Sequence, residues 1–189
     1  TQDKCFLAAG YTDYAGDGNY DFLALKVDAQ GNLVWSKTYG GVQSDKAYAV
    51  THSVDGCVIA GDTRSKGAGD SDAWIIKVNL DGVLLWEQTA GGAGFDALTT
   101  LALAPGGGYL VAGTTFSFGN GQRDFWLFNI SDLGTVTWSC TVGRSGYEEA
   151  YAVAYAGGDS YVLAGWTNSV GAGRYDFYVV QVNVGSAGP

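Results

Sequence analysis

The sequence predicts an all-β protein, a β-propeller of four-stranded antiparallel blades, and three observations support this prediction. A short apolar run that ends in glycine recurs every 51 or 52 residues, with its glycines at Gly10, Gly61, Gly113 and Gly165. Glycine is abundant (30 residues) and proline is scarce (2 residues), which suits short strands joined by tight turns. Helical spacing of apolar residues is absent, so we expect essentially no helix.

The repeat spacing predicts a single propeller domain over residues 1–189, with about 3.6 repeats. The approximate bounds of the repeats are 6–56, 57–108, 109–160 and 161–189. A closed ring needs a whole number of blades. We therefore expect that the ring is completed by a missing part of a longer chain, by self-association, or by both. A four-bladed ring with defective first and last blades is the alternative.

Each full repeat contains four strand-like runs, and their composition places them within a blade. The first run is rich in small residues, as in 47–52, which suits strands that converge on an axis. The second run ends in the repeated glycine. The third is apolar on both faces, with Phe125 and Leu127 on one side and Trp126 and Phe128 on the other, so it lies between neighbouring sheets. The fourth alternates apolar and polar residues, as expected of a half-exposed outer strand.

Two further residue types, an aspartate and a tryptophan, recur at fixed offsets, and we interpret both as structural repeat positions. The repeated aspartates are Asp21, Asp72, Asp124 and Asp176, and the repeated tryptophans are Trp35, Trp86 and Trp138. Each aspartate begins a third run, where its carboxylate can accept backbone N–H groups of the preceding glycine-rich loop. A cation-binding role is the alternative, but a single site would break the repeat rather than follow it.

One loop is a candidate calcium site. Asp13, Asp17, Asn19 and Asp21 fall within nine residues and space their oxygen atoms like the opening of a calcium loop. The glycine required at the sixth position of such a loop is replaced by Phe22. We expect solvated turn carboxylates here, with calcium as the alternative and no other cofactor.

Charge and residue usage limit the classes of function. The net charge is −9, so the chain lacks the basic surface that a nucleic-acid partner requires, and no apolar run is long enough for membrane insertion. The single histidine, His52, aligns with Leu103 and Tyr155 in later repeats, which disfavours a catalytic role. Glu148 and Glu149 are adjacent and should point to opposite faces of a strand. We therefore expect no enzymatic activity.

Residues 20–28 and 31–41 resemble the β-propeller repeats of bacterial and archaeal secreted or cell-surface proteins, and they are similar to SBBP-type repeats. The resemblance extends over nearly the whole chain. It implies an extracellular or cell-surface location and an adhesive or scaffold role. It implies no substrate and no catalytic residues.

Ligand contacts are expected where the repeats differ. The residue that follows each repeated glycine varies, and these residues are Tyr11, Asp62, Thr114 and Trp166. Tyr11 and Trp166 are suited to stacking on a sugar ring or anchoring a partner protein. The sequence thus predicts a binding or scaffold module with a protein or carbohydrate partner. The alternatives are a carbohydrate-binding lectin, calcium-dependent or not, and a carbohydrate-active hydrolase or lyase.

Overall fold

A computed structural model describes residues 4–13 and 18–185. These residues form fourteen strands and no helix, in agreement with the predicted all-β class. The strands are β1 (Phe6–Thr12), β2 (Asp21–Val27), β3 (Leu33–Tyr39), β4 (Asp45–His52), β5 (Gly56–Thr63), β6 (Asp72–Asn79), β7 (Leu84–Ala90), β8 (Asp96–Leu103), β9 (Tyr109–Thr115), β10 (Asp124–Ile130), β11 (Val136–Val142), β12 (Glu148–Gly157), β13 (Ser160–Thr167) and β14 (Asp176–Asn183).

The strands pair into four antiparallel sheets in chain order. The first sheet is β1-β2-β3, the second β4-β5-β6-β7, the third β8-β9-β10-β11 and the fourth β12-β13-β14. The second, third and fourth sheets each begin one strand earlier than the repeat bounds inferred from the glycine motif, because the small-residue strand pairs with the strand that follows it. Within the described residues, the first sheet has no such inner strand and the fourth has no outer strand.

Tight turns join the strands within each sheet and fix their register. In the turn between β2 and β3, the Asp28 carboxylate accepts backbone hydrogen bonds from Gln30 and Asn32, at 2.9 and 2.8 Å. Gly31 in this turn has φ +86°, a left-handed conformation that glycine adopts without a steric penalty. Asn79 supports the equivalent turn of the second sheet by accepting hydrogen bonds from Asp81 and Val83.

Successive sheets pack face to face, and a hydrophobic cluster fills each of the three interfaces. We call the side of a sheet that contacts the next sheet along the chain its leading face, and the opposite side its trailing face. Phe125 and Leu127 lie on the leading face of the third sheet, while Trp126 and Phe128 lie on its trailing face. The third strand of the sheet is therefore buried on both sides, as its composition indicates.

The repeated tryptophans connect neighbouring sheets. The indole N–H of Trp35 in the first sheet donates to the carbonyl of Leu80 in the second, at 3.0 Å. Trp86 of the second sheet donates in the same way to the carbonyl of Asp132 in the third, also at 3.0 Å. Each contact joins an outer strand to a turn of the next sheet and so fixes the angle between the two sheets.

The inner strands lie together along one side of the stack. β4 contacts β1 and β8, and β12 contacts β8. The inner strands of neighbouring sheets therefore lie side by side.

Candidate functional site

A cleft with a volume of about 760 Å³ lies between the second and third sheets. It lies at the end of the sheets that carries the strand-to-strand turns 53–55, 80–83, 104–108 and 131–135, which we call the turn end. Four aliphatic side chains line it, those of Val54, Leu80, Leu103 and Ala104, together with the rings of His52 and Tyr109. Val54 is 86% exposed and Leu103 is 47% exposed, so apolar side chains are presented to solvent at its rim. A volume of this size is in the range of known ligand pockets.

A charged network borders the cleft and is centred on Lys77 of β6. The side chain of Lys77 is almost fully buried, and its ammonium group donates to Asp55 at 2.9 Å and to Asp132 at 2.8 Å. The hydroxyl of Tyr109 also donates to the Asp132 carboxylate, at 2.7 Å. Asp55 and Asp132 come from turns of different sheets, so Lys77 links the second and third sheets beneath the cleft.

The network holds its carboxylates in the ionised state. The hydrogen bond from Lys77 lowers the pKa of both Asp55 and Asp132. Burial by itself lowers the pKa of the Lys77 ammonium, but the hydrogen bonds to Asp132 and Asp55 outweigh burial and leave that pKa raised. Burial and the bond to Asp132 raise the pKa of Tyr109 to about 12. One cation and two anions therefore meet here, and the network carries a net negative charge at neutral pH.

His52 lines the same cleft, beside Ser53. The Ser53 hydroxyl donates to Asp55 at 3.0 Å, so its proton is directed to a carboxylate rather than to the imidazole. A serine activated by histidine would need the reverse arrangement, with the hydroxyl donating to the ring nitrogen. His52 therefore does not activate the Ser53 hydroxyl in this arrangement.

The four predicted ligand positions lie at the opposite end of the sheets, where β5, β9 and β13 end. Asp62 is buried and accepts a hydrogen bond from Ser71, while Thr114 is buried and donates to the Glu148 carbonyl. Tyr11 is exposed and packs edge-on against Tyr48 and Tyr20. Two of the four positions are thus closed to solvent. Tyr11 and Asp62 are connected through Tyr48, whose phenol lies next to the Asp62 carboxylate.

Trp166, the fourth position, lines a shallow groove on the leading face of the fourth sheet. Its ring lies edge-on to Tyr175 with centroids 4.8 Å apart, and its N–H donates to the Tyr151 hydroxyl at 3.4 Å. Phe177 completes the apolar lining of this groove, whose volume is about 420 Å³. The groove and the cleft therefore lie on different sheets and do not form one site.

The predicted calcium loop is only partly described, because Asp17 lies outside the described residues. Asp13 accepts a hydrogen bond from the backbone N–H of Gly18 at 3.1 Å. Asn19 and Asp21 both take part in interactions within the chain. Within the described residues, no group of three or more His, Cys, Asp or Glu side chains is placed to hold a metal ion.

Three of the repeated aspartates, Asp72, Asp124 and Asp176, accept backbone hydrogen bonds from the loops that precede them. Asp72 accepts from Ala68 and Gly69, at 2.9 and 3.2 Å. Asp124 accepts from Gly121 at 2.9 Å and Asp176 from Gly173 at 3.2 Å. These bonds order the loop between the second and third strands of a sheet.

Asp45 and Asp96, the acids that begin the inner strands β4 and β8, each bind a pair of hydroxyl groups, a contact that sequence analysis did not predict. Asp96 accepts hydrogen bonds from Thr115, from Ser117 at 2.5 Å and from the backbone of Gly92 at 2.9 Å. Asp45 makes the equivalent contacts to Thr63 and Ser65. The signal was a Thr-x-Ser pattern after the repeated glycine, present at residues 63–65, 115–117 and 167–169. Glu148 accepts the equivalent hydrogen bond from Thr167, at 2.6 Å, while Glu149 pairs with Arg123, so the two adjacent glutamates do not act together.

Sequence analysis also missed the network around Lys77. The available signal was a lysine inside a strand that is apolar on both faces. Such a side chain must find carboxylate or carbonyl acceptors, since an unpaired buried charge is costly. Its partners could not be identified, because Asp55 and Asp132 lie in turns that only the packing of the sheets brings together.

Comparisons with known proteins do not assign a family. No protein-family model matches the chain, and no curated protein matches it. Among solved structures, the chain is similar to the crystal structure of Sqt1 from Chaetomium thermophilum, with a TM-score of 0.49 and 12% identity. The similarity covers 86% of this chain and 38% of that chain, so this chain spans well under half of its length. A similarity at this level does not bear on function, and the resemblance to secreted propeller repeats stays a prediction.

Proposed function

We propose that the four sheets are successive blades of a β-propeller, and that the chain is a non-enzymatic, extracellular binding or scaffold module. The propeller interpretation is supported by the stacking of the sheets in chain order and by the inner strands lying together on one side. The extracellular location is supported by the resemblance to secreted repeats. Within the described residues, no helix is long and apolar enough to cross a membrane.

The observation that carries the binding role is the largely apolar cleft at the turn end, next to two fixed carboxylates. Apolar walls gain free energy when a partner side chain displaces water from them. The four aliphatic side chains of the lining suit an apolar peptide side chain as the partner group. Asp55 and Asp132 add negative charge at the rim, in a chain of net charge −9. The complementary partner is a protein segment with an apolar residue beside a lysine or arginine.

Electrostatics support binding over catalysis. Asp55 and Asp132 are ionised through Lys77, so neither is a proton donor at neutral pH. The carboxyl groups with raised pKa, Asp62 and Asp124, lie at the other end of the sheets, away from the cleft. A glycosidase needs an acid and a base on either side of one bond. Both carboxylates at the cleft are ionised, so the cleft does not combine a protonated acid with a base.

A peptide array tests this function. The probe is a set of immobilised peptides in which one leucine or phenylalanine is placed beside lysine, glutamate or alanine. We expect the lysine series to bind and the glutamate series to fail. Val54→Asp, which places a charge at the rim of the cleft, should abolish binding. Leu133→Asp alters an equally exposed aliphatic side chain in the turn between β10 and β11, outside the cleft lining, and should bind as the wild type does. Equal binding by the two variants would contradict the proposal.

A further inference from the structure

The two ends of the sheet stack expose positions that are buried everywhere else in the repeat. We compare the two residues that lie one and three positions after each repeated aspartate. Their side chains are on the leading face of their sheet. In the first three sheets these positions are buried, and they are Phe22 and Ala24, Ala73 and Ile75, and Phe125 and Leu127. In the fourth sheet the same positions are Phe177, which is 79% exposed, and Val179, which is 51% exposed.

The trailing face of the first sheet shows the complementary pattern. We compare the two residues that lie four and two positions before each repeated glycine. Their side chains are on the trailing face, which is directed toward the preceding sheet. In the second, third and fourth sheets these positions are buried, and they are Cys57 and Ile59, Tyr109 and Val111, and Tyr161 and Leu163. In the first sheet they are Phe6, which is 64% exposed, and Ala8, which is also exposed.

We infer that this chain associates head to tail with a second copy of itself, so that the leading face of the fourth sheet packs on the trailing face of the first sheet of the partner. Inside one chain, a leading face packs on the trailing face of the next sheet three times. The two exposed faces are the remaining halves of the same repeated interface. The second and third strands of a sheet, which supply these core positions, are present at both ends as β13 with β14 and β1 with β2.

The interface between copies should be weaker than the interfaces within the chain. Within one chain, the Trp86 indole also bonds to a turn of the next sheet, and this tryptophan belongs to an outer strand. The described part of the fourth sheet has no outer strand, so the apolar faces must supply the attraction without that bond. Leading and trailing faces are different surfaces, so the contact is heterologous, which gives closed rings or open chains of copies. We therefore expect reversible association at micromolar concentration.

Sedimentation velocity over a range of concentrations tests the inference with two variants. Phe177→Asp places a charge on the leading face, and Phe6→Asp places one on the trailing face. Each alone should remain monomeric, because each lacks one half of the contact. Mixed in equal amounts, they should form a dimer and no larger species, since only the leading face of Phe6→Asp and the trailing face of Phe177→Asp are intact. Dimer formation in the mixture also shows that both variants are folded.

Other outcomes overturn the inference. A wild-type chain that remains monomeric at all concentrations excludes self-association through these faces. A Phe6→Asp variant that still dimerises shows that two leading faces pack on each other instead. If the monomer binds an oligosaccharide on a glycan array and Trp166→Ala abolishes that binding, a sugar occupies the leading face. The inference is independent of the turn-end cleft, because Val54→Asp should associate as the wild type does.

Discussion

At the scale of single residues, the buried ionisable groups at the two ends of the sheets have different surroundings. At the turn end, Lys77 is buried with two carboxylates, so all three groups are ionised and paired. At the opposite end, Asp62 is buried beside Ser71 and Tyr48, and loss of hydration raises the pKa of its carboxyl group above 3.8. A buried acid with a raised pKa lowers the stability of the folded state whenever it is ionised.

Asp62→Asn should therefore stabilise the protein at neutral pH. Because the pKa of Asp62 is higher in the folded state than in the unfolded state, its contribution is unfavourable at high pH and disappears as the pH falls below 3.8. Asparagine keeps an oxygen acceptor for Ser71 without a charge. We expect the free energy of unfolding to rise at neutral pH. Thermal unfolding of both proteins in a series of buffers would measure the difference, and an advantage for the variant that grows as the pH falls would refute this argument.

At the scale of strands, the repeated glycine is required by the close approach of the inner strand. A Cβ atom at Gly61 would lie 1.9 Å from the carbonyl oxygen of Lys46, and one at Gly113 would lie 2.0 Å from that of Ala97. The inner strand shifts register next to these glycines, between Ala47 and Ala49 in the second sheet. The first sheet lacks an inner strand, and a Cβ atom at Gly10 would meet nothing within 4 Å.

Gly113→Ala should destabilise the protein, and Gly10→Ala at the same repeat position should not. The clash at Gly113 is with backbone, which cannot move aside without disrupting the pairing of β8 and β9. Overpacking of this kind costs about 3 kcal/mol. Gly10→Ala should be neutral or slightly stabilising, because alanine loses less conformational entropy than glycine in a strand. Urea unfolding of the two variants measures both effects, and equal stability of the variants would show that the inner strand does not require the glycine.

The sequence allows prediction of the strands and of their faces, because both depend on local alternation. Phe125 and Trp126 point to opposite sides of β10, as their spacing indicates. The repeated glycine is also visible in the sequence, but the reason for it is not. The carbonyl oxygen of Ala97 lies next to Gly113 only because β8 pairs with β9. The predicted ligand positions share a repeat offset, but their surroundings differ. Asp62 is buried beside Ser71, and Thr114 is buried against the Glu148 carbonyl of the next sheet, a contact that depends on the packing of the sheets.

At the scale of the whole molecule, stability follows from how many faces of each sheet are covered. The second and third sheets are covered on both sides, and every residue of β5 and β9 is buried. The first and fourth sheets are covered on one side, and β14 alternates between half-buried and exposed residues. In stacked repeats, each unit is stabilised mainly by its nearest neighbours. The ends of the stack should therefore open more readily than its centre.

Hydrogen exchange read by mass spectrometry should reveal this gradient. In a dilute, monomeric sample, we expect backbone amides of β5 and β9 to exchange at least about tenfold more slowly than those of β1 and β14, because the end sheets open locally without unfolding of the centre. At high concentration, β1 and β14 should become more protected while β5 and β9 stay unchanged, since association covers only the end faces. The Phe177→Asp variant is the control and should show the gradient at every concentration. Uniform exchange over all four sheets would mean that the stack opens as one unit, so that coverage of a sheet does not determine its local stability.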